Sequence, residues 1–419
     1  MPPQPTDHSG LEVDIRVLVD EQDLTGAFDV FRTAMVGLPS FDPLPPGTVG
    51  KIFEPGRTLG AYVAGQLVGT VDSAASSLTL PGGRTVAHAA VTHVGVLPTH
   101  TRRGIVSRLL QRQLGDARAG GEVVATLRAS EATIYGRYGY GIASRAAAVE
   151  VDTRRGALRS DDPAGDRVRL VDPAGAWDVL PGIHARNADP RPGAITRPPV
   201  WWAAQEMRAA TAQGPAYVAL AGSEGSETGF VRYHPIGTEA WFGGTERTVV
   251  VDDLHAPSRD TFVGIVRFLW NLDLVDRIIF PTLPVDSSLP WLLTDPRGAR
   301  TTGLRDETWL RILDVGTALG ARAYAGGETL VIGVHDHLLP ANTGTYRVSG
   351  GDVETVAHRI EPDVDLETDV ATLSGALLGG VRWHQLAASG TVRARSAGAI
   401  ASADRSFGTD LAAFAGTNF

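Results

Sequence analysis

The chain has 419 residues and a formal net charge of −9, with 43% hydrophobic and 20% charged residues. At about 150 residues per domain this reads as two or three soluble globular domains, and the acidic balance excludes the basic face that a nucleic-acid binder needs. The absence of cysteine excludes disulfides, thiolate metal sites and a cysteine nucleophile, and Lys51, the only lysine, is the single candidate for Schiff-base chemistry.

The first ten residues, Met1–Gly10, contain no basic or apolar segment and read as a polar tail rather than a signal peptide. No apolar run approaches the ~20 residues of a membrane span, so no membrane partner and a cytoplasmic location are expected. Alternation at Val13–Val17 predicts a strand, and Leu24, Phe28, Phe31 and Met35 recur at helical spacing. A Pro-rich loop, Pro39–Pro46, precedes strands at Leu59–Val63, Val68–Leu80 and Val86–Val96, the last two joined by Pro81-Gly82-Gly83. An amphipathic helix over Gly104–Ala117 follows, with Ile105, Leu109, Leu110 and Leu114 on its apolar face. A buried strand at Val123–Leu127, a Gly/Tyr-rich stretch and a strand near Ala147–Val151 complete a first region.

A polar linker, Asp152–Asp166, opens a second region with a similar rhythm. Strands are expected at Val168–Val171, Tyr217–Ala221, Phe230–His234, Thr248–Val251 and Arg277–Phe280, with helices after Asp172, around Trp201-Trp202 and over Thr261–Leu272. A third region from Asp295 has strands at Trp309–Leu313 and Leu330–Val334 and helical patterns at Glu367–Leu378 and Trp383–Ala388. The order is that of an α/β (α+β) fold, with one parallel crossover inside mostly antiparallel sheets.

The chemistry concentrates in Val91-Thr-His-Val-Gly-Val-Leu-Pro-Thr-His-Thr-Arg-Arg-Gly104. Here a strand runs into a tight Arg-Arg-Gly loop that opens a helix. Free N–H groups and the positive end of the helix dipole suit a phosphate there. Gly104 allows close approach, and Arg102 and Arg103 add charge. An irregular strand end at Val94-Gly95-Val96 would leave backbone groups free to take an amide-containing pantetheine arm as an added strand.

This segment resembles motif A of the GNAT N-acetyltransferases, Gln/Arg-x-x-Gly-x-Gly/Ala, although Thr101 and Val106 depart from it. Downstream, Ala129-Ser130-Glu131-Ala132-Thr133-Ile134-Tyr135-Gly136-Arg137-Tyr138-Gly139-Tyr140-Gly141 is similar to the signature of the Eis (enhanced intracellular survival) acetyltransferases. So are Pro98-Thr-His-x-Arg-Arg-Gly, Thr301-Thr-Gly-x-x-Asp-x-x-Trp-Leu-Arg-Ile312 and the C-terminal Phe419.

The resemblance implies tandem GNAT-like domains and a C-terminal sterol-carrier-protein-like domain. On this sequence these fall at 1–151 (acetyltransferase), 152–294 (GNAT-like, without a cofactor motif) and 295–419 (sterol-carrier-like, supplying the terminal carboxylate). It also implies acetyl-CoA as cosubstrate; no metal is expected, on the separate ground that no metal-ligand set is evident in the sequence. Acetyl-CoA contacts carry over to Val94, Gly95, Val96, Arg102, Arg103, Gly104, Ile105, Val106, Ser107, Ser130 and Glu131. The general acid carries over to Tyr135, and the general base to the carboxylate of Phe419. The expected activity is direct acetylation of primary amines on cationic small molecules such as aminoglycosides, by a homo-oligomer that is hexameric in the family.

Each role has a rival. Tyr135 could be a packing aromatic and Phe419 a frayed end. His93 reads as a wall histidine before a second base. Asn418 is neutral where an acid would help hold a cation. His335-Asp336-His337 is half a metal site without an evident third ligand. The competing functions are acetylation of peptide lysine or polyamines, and a non-catalytic acyl-CoA- or lipid-binding protein.

Overall fold

A computed structural model describes residues 12–38, 47–159, 165–243, 246–350 and 352–418. The N-terminal tail, the Pro-rich loop 39–46 and Phe419 lie outside the described residues, as does part of the 152–166 linker.

The first region forms β1 (Asp14–Leu18), α1 (Glu21–Met35), α2 (Val49–Ile52), β2 (Thr58–Val63), β3 (Gln66–Thr79), β4 (Thr85–Val96), α3 (Ile105–Ala119), β5 (Val124–Leu127), α4 (Ala132–Tyr135) and β6 (Gly141–Ile142). α3 buries Ile105, Leu109, Leu110 and Leu114 against the sheet, as its 3–4 spacing requires. From the other side α1 presses on β4 so closely that a Cβ on Gly95 would lie 3.0 Å from Ala34 and 3.2 Å from the Phe31 backbone. Glycine at 95 therefore sets how near α1 sits to the irregular end of β4.

The next strand, β7 (Arg145–Asp152), begins the second sheet. It is followed by β8 (Val168–Val171), α5 (Leu180–Arg186), α6 (Pro199–Thr211), β9 (Tyr217–Ser223), β10 (Ser226–Ile236), β11 (Thr248–His255), α7 (Arg259–Trp270), β12 (Arg277–Pro284), β13 (Ala299–Asp306) and β14 (Trp309–Ile312). The sheet orders are β1-β2-β3-β4-β5-β14-β6 and β13-β7-β12-β11-β10-β9-β8. Two strands thus sit elsewhere than chain order suggests. The strand expected at the end of the first region, β7, pairs with β12 and β13 of the second sheet. The strand expected to open the third region, β14, inserts between β5 and β6 of the first. Alternation and apolar runs define a strand but not its partner, which is why the exchange does not appear in the pattern.

The third region comprises α8 (Val315–Ala321), β15 (Thr329–His335), β16 (Gly344–Ser349), β17 (Asp352–Ala357), β18 (Leu366–Asp369), α9 (Val370–Ala376), α10 (Trp383–Ala388), β19 (Val392–Ala394) and α11 (Ala397–Ser406). Its sheet order is β17-β16-β15-β18-β19. The helix expected from Glu367 starts only at Val370, because Leu366–Asp369 pairs in parallel with Ile332–His335. Asp369 then caps the helix by accepting from the Thr372 N–H at 2.8 Å. No helix among the described residues is long and apolar enough to cross a membrane.

Candidate active site

β4 and β5 run parallel and bond only at His88–Val124, Ala89–Ala125 and Ala90–Thr126, then part. Beyond Ala90, the β5-facing edge of β4 has no strand partner among the described residues. On the β3 side the register jumps from Asp72–Thr92 to Thr70–Gly95, a bulge that turns His93 to a φ of 49°. Val94, Gly95 and Val96 thus lie on an open strand edge, where an extended amide chain can be added.

Past the bulge the chain turns at Arg102 (φ 62°) and Gly104 (φ 74°) and enters α3 with no side chain capping its first N–H groups and no acid in its first turn. Arg102 and Arg103 are exposed, Ile105 is buried, and Val106 and Ser107 are half-buried. Open N–H groups, an αL glycine and two guanidinium groups without a partner among the described residues suit a pyrophosphate. In the second sheet β11 and β12 also part beyond Val250–Ile279, and a register jump leaves Asp252 outside the ladder. There, however, the Ser258 hydroxyl fills the start of α7, accepting from the Thr261 N–H at 3.1 Å. The second region keeps the splayed strands but not the free helix end.

Ser130 and Glu131 are exposed just after β5, and Tyr135 closes the short α4. Tyr135 is buried, edge-on to Tyr140 with ring centroids 6.0 Å apart. Burial raises the pKa of its hydroxyl, and a hydrogen bond with Ser130 opposes that in part. The neighbouring Tyr138 hydroxyl meets Ser107 Oγ at 2.8 Å, tying this loop to the first turn of α3.

The structure brings the chain's tail to this neighbourhood. Arg128, the residue after β5, donates to the Thr417 carbonyl and pairs with Glu307 (Nη2–Oε1 3.1 Å). Glu307 accepts from the Ala415 and Gly416 N–H groups (3.1 and 3.2 Å) and from the Ser144 hydroxyl (2.6 Å). On the second region's side Arg197 donates to the Gly416 carbonyl (3.0 Å) and Thr417 Oγ1 (3.1 Å), while Asp253 grips it bidentately at 2.8 Å. Trp201 Nε1 donates to the Asn418 carbonyl at 2.5 Å. A cavity of about 880 Å³ borders this tail, walled by the outer half of β11, the end of β12 and Phe414–Asn418. None of Val94–Val96, Arg102–Ser107 or Ser130–Tyr135 lines it, so it is a space separate from the β4–β5 gap.

The tail's holders were not among the candidates read from sequence. Arg128 stands one residue before the Ala129-Ser130-Glu131 phrase, and Glu307 is one of the positions the 301–312 phrase leaves unspecified. Their proximity to those motifs was the available signal. The strand histidine His335 is engaged by Glu367 (3.0 Å), and no group of three potential metal ligands occurs among the described residues.

Residues 15–143 and 193–312 each match an acetyltransferase (GNAT) domain family, and residues 315–415 match a sterol carrier protein domain. An uncharacterised N-acetyltransferase of Streptomyces coelicolor is 38% identical, covering 82% of this chain and 84% of its own. The N-acetyltransferase Eis of Mycobacterium tuberculosis is 33% identical over 84% of this chain and 86% of its own. The crystal structure of Eis1 from Mycobacterium abscessus is 45% identical and superposes with a TM-score of 0.88, covering 97% of this chain and all of that one. The GNAT fold implies acetyl-CoA as cosubstrate. Sequence, fold and relatives agree: the chain belongs to the Eis family of GNAT N-acetyltransferases.

Proposed function

We propose that the protein transfers the acetyl group of acetyl-CoA directly to a primary amine of a cationic small molecule, of the aminoglycoside class. The observation that carries this reading is the docked tail: the chain is held through Asn418 beside the end of β5, one of the two strands flanking the open gap. The gap takes pantetheine along Val94–Val96, and Arg102–Ser107 holds the pyrophosphate, with Ser130 and Glu131 along the same path.

The Phe419 carboxylate accepts the ammonium proton, directly or through one water. A chain-terminal carboxylate is ordinarily a weak base, at ~3.5; removal from water strengthens it. The neutral amine attacks the thioester carbonyl, whose oxyanion takes the Val94 N–H, an interaction worth about 3–4 kcal/mol. Attack forms the C–N bond; collapse then restores the carbonyl and breaks C–S, the Tyr135 hydroxyl gives its proton to the departing thiolate, and the second proton of the nitrogen restores Tyr135. In this division of labour residues 1–151 catalyse, 152–294 help hold the tail and 295–419 supply it, with β7, β13 and β14 crossing those bounds. The hexamer implied by the family resemblance belongs to the same proposal and is checked by sedimentation mass.

A thiol-release assay with acetyl-CoA and a panel of aminoglycosides, polyamines and lysine peptides tests the reading. Turnover on aminoglycosides is expected, and a short extension beyond Phe419 should abolish it while acetyl-CoA still binds. Full activity of the extended chain would remove the terminal carboxylate from the reaction. Silence on every amine despite acetyl-CoA binding would favour a binding protein.

A further inference from the structure

His93 is held in a way that packing alone does not require. It sits on the β4 bulge with φ 49°, a strained backbone for a residue with a Cβ. Its ring lies among Phe28, Phe31 and Phe53, with centroids 4.8–5.7 Å away. A phenyl ring would fill that enclosure with no polar atom to satisfy. Instead its Nδ1 meets Asp72 Oδ2 at 3.3 Å, and the Thr58 hydroxyl fixes the other oxygen of this buried carboxylate at 2.9 Å. A carboxylate acceptor on Nδ1 places the ring proton there and makes Nε2 the basic nitrogen. Nε2 has no hydrogen-bond partner among the described residues, yet it is not among the buried polar atoms left without one. It is therefore not fully shut off from water, and it lies one residue before Val94 in the chain.

We propose that His93, oriented by Asp72 and Thr58, is a second proton acceptor for the amine substrate, working from the β4 side while the terminal carboxylate works from the tail. The inference rests on acetyl transfer at the β4–β5 gap. In the step, one N–H proton of the substrate ammonium passes to Nε2, directly or through one water. The freed lone pair forms the C–N bond, the C–S bond breaks and the thiolate takes the Tyr135 proton. The imidazolium releases its proton to solvent, and the nitrogen gives up its second N–H proton as the amide forms, which restores Tyr135.

The test compares the wild type with His93→Phe and Asp72→Asn at one neutral pH. The substrates are the amine panel above, extended by phenethylamine and its weakly basic β,β-difluoro analogue. Strongly basic amines arrive protonated and need the acceptor; weakly basic ones do not. His93→Phe should lower kcat by about 100-fold or more on strongly basic amines and by less than about threefold on the weak base, with acetyl-CoA affinity unchanged. Asp72→Asn should show the same pattern more weakly. Equal losses on both kinds of amine, or no loss, would overturn the proposal. If neither variant folds, His93→Gln, which keeps a polar group against Asp72 but has no basic nitrogen, takes their place and is read by the same two outcomes. Failure of the wild type on every amine would instead reject the acetyl-transfer reading itself.

Discussion

Replacing Glu307 by glutamine would test whether the tail is held as the structure shows it. The carboxylate is 4% exposed and receives two tail amides, Ala415 and Gly416, besides Ser144 and Arg128. Glutamine keeps the shape but removes the charge and turns an NH2 towards groups that are themselves donors. A hydrogen bond to a charged group contributes about 1.5–3 kcal/mol against about 1 for a neutral pair. The two tail amides therefore lose about 3 kcal/mol together, or about 150-fold in the population of the detached tail. Arg128, left without its buried anion, lowers the stability of the whole fold further. The reporter is hydrogen exchange at the Phe414 amide, which donates to the Pro192 carbonyl at 2.8 Å rather than to Glu307. Its exchange should accelerate about 150-fold, and acetylation should fall with acetyl-CoA binding retained. Exchange at Phe414 within about threefold of wild type, together with undiminished turnover, would refute the reasoning.

Other replacements bear on the same site. Tyr135→Phe should cut kcat about 100-fold with little change in the KM for the amine, since the hydroxyl acts only as the thiolate departs; an unchanged kcat would end that role. Arg197→Ala strands the buried Asp253 and releases the Gly416 carbonyl, so a loss of about 3–5 kcal/mol is expected in urea unfolding, and a loss under 1 kcal/mol would contradict it. Burial, reinforced by nearby arginines, lowers His88 to about 3 and His255 to about 4, against ~6.5 when unfolded. The folded chain keeps both rings neutral, so their contribution is complete above about pH 6.5 and is lost as pH falls towards 4. Each ring contributes a slope of up to about 1.4 kcal/mol per pH unit there. Urea midpoints between about pH 7 and 5 should show the decline, and His255→Gln should make it shallower; an unchanged slope would count against the buried-ring account.

What the sequence revealed follows from the range of the forces involved. α3, β4 and β5 were legible because helical spacing, alternation and an apolar run are local signals. The turn that opens α3 was legible because glycine and arginine at fixed offsets have a local physical meaning. The His93–Asp72 pair was not, since it joins residues 21 apart in sequence across a register jump. Nor was the Arg128–Glu307–tail network, whose members are 179 and 289 residues from one another along the chain. The partners of β7 and β14 belong to the same class: each strand's pattern is clear, and its place depends on what the rest of the chain leaves open.

That exchange of strands is what holds the chain's tail in place. β14 pairs with β5 in the register Trp309–Leu127, which sets Arg128, just past the end of β5, beside Thr308 and Glu307, just before β14 begins. Two of the residues that hold the tail are therefore brought together by a ladder that exists only because β14 has crossed from the far side of the second region. β7 makes the reciprocal crossing between β12 and β13, so each sheet lacks an internal strand without the other. A chain terminus is otherwise the part of a protein least able to hold a reactive group, because it has few partners and much entropy to lose on ordering. Here it is received by residues at the ends of paired strands, whose positions are as fixed as the sheet itself. Cutting the chain after the first region would remove β14, Glu307 and the tail together. The first region cannot be expected to work alone, although every motif that resembles cofactor contacts lies within it.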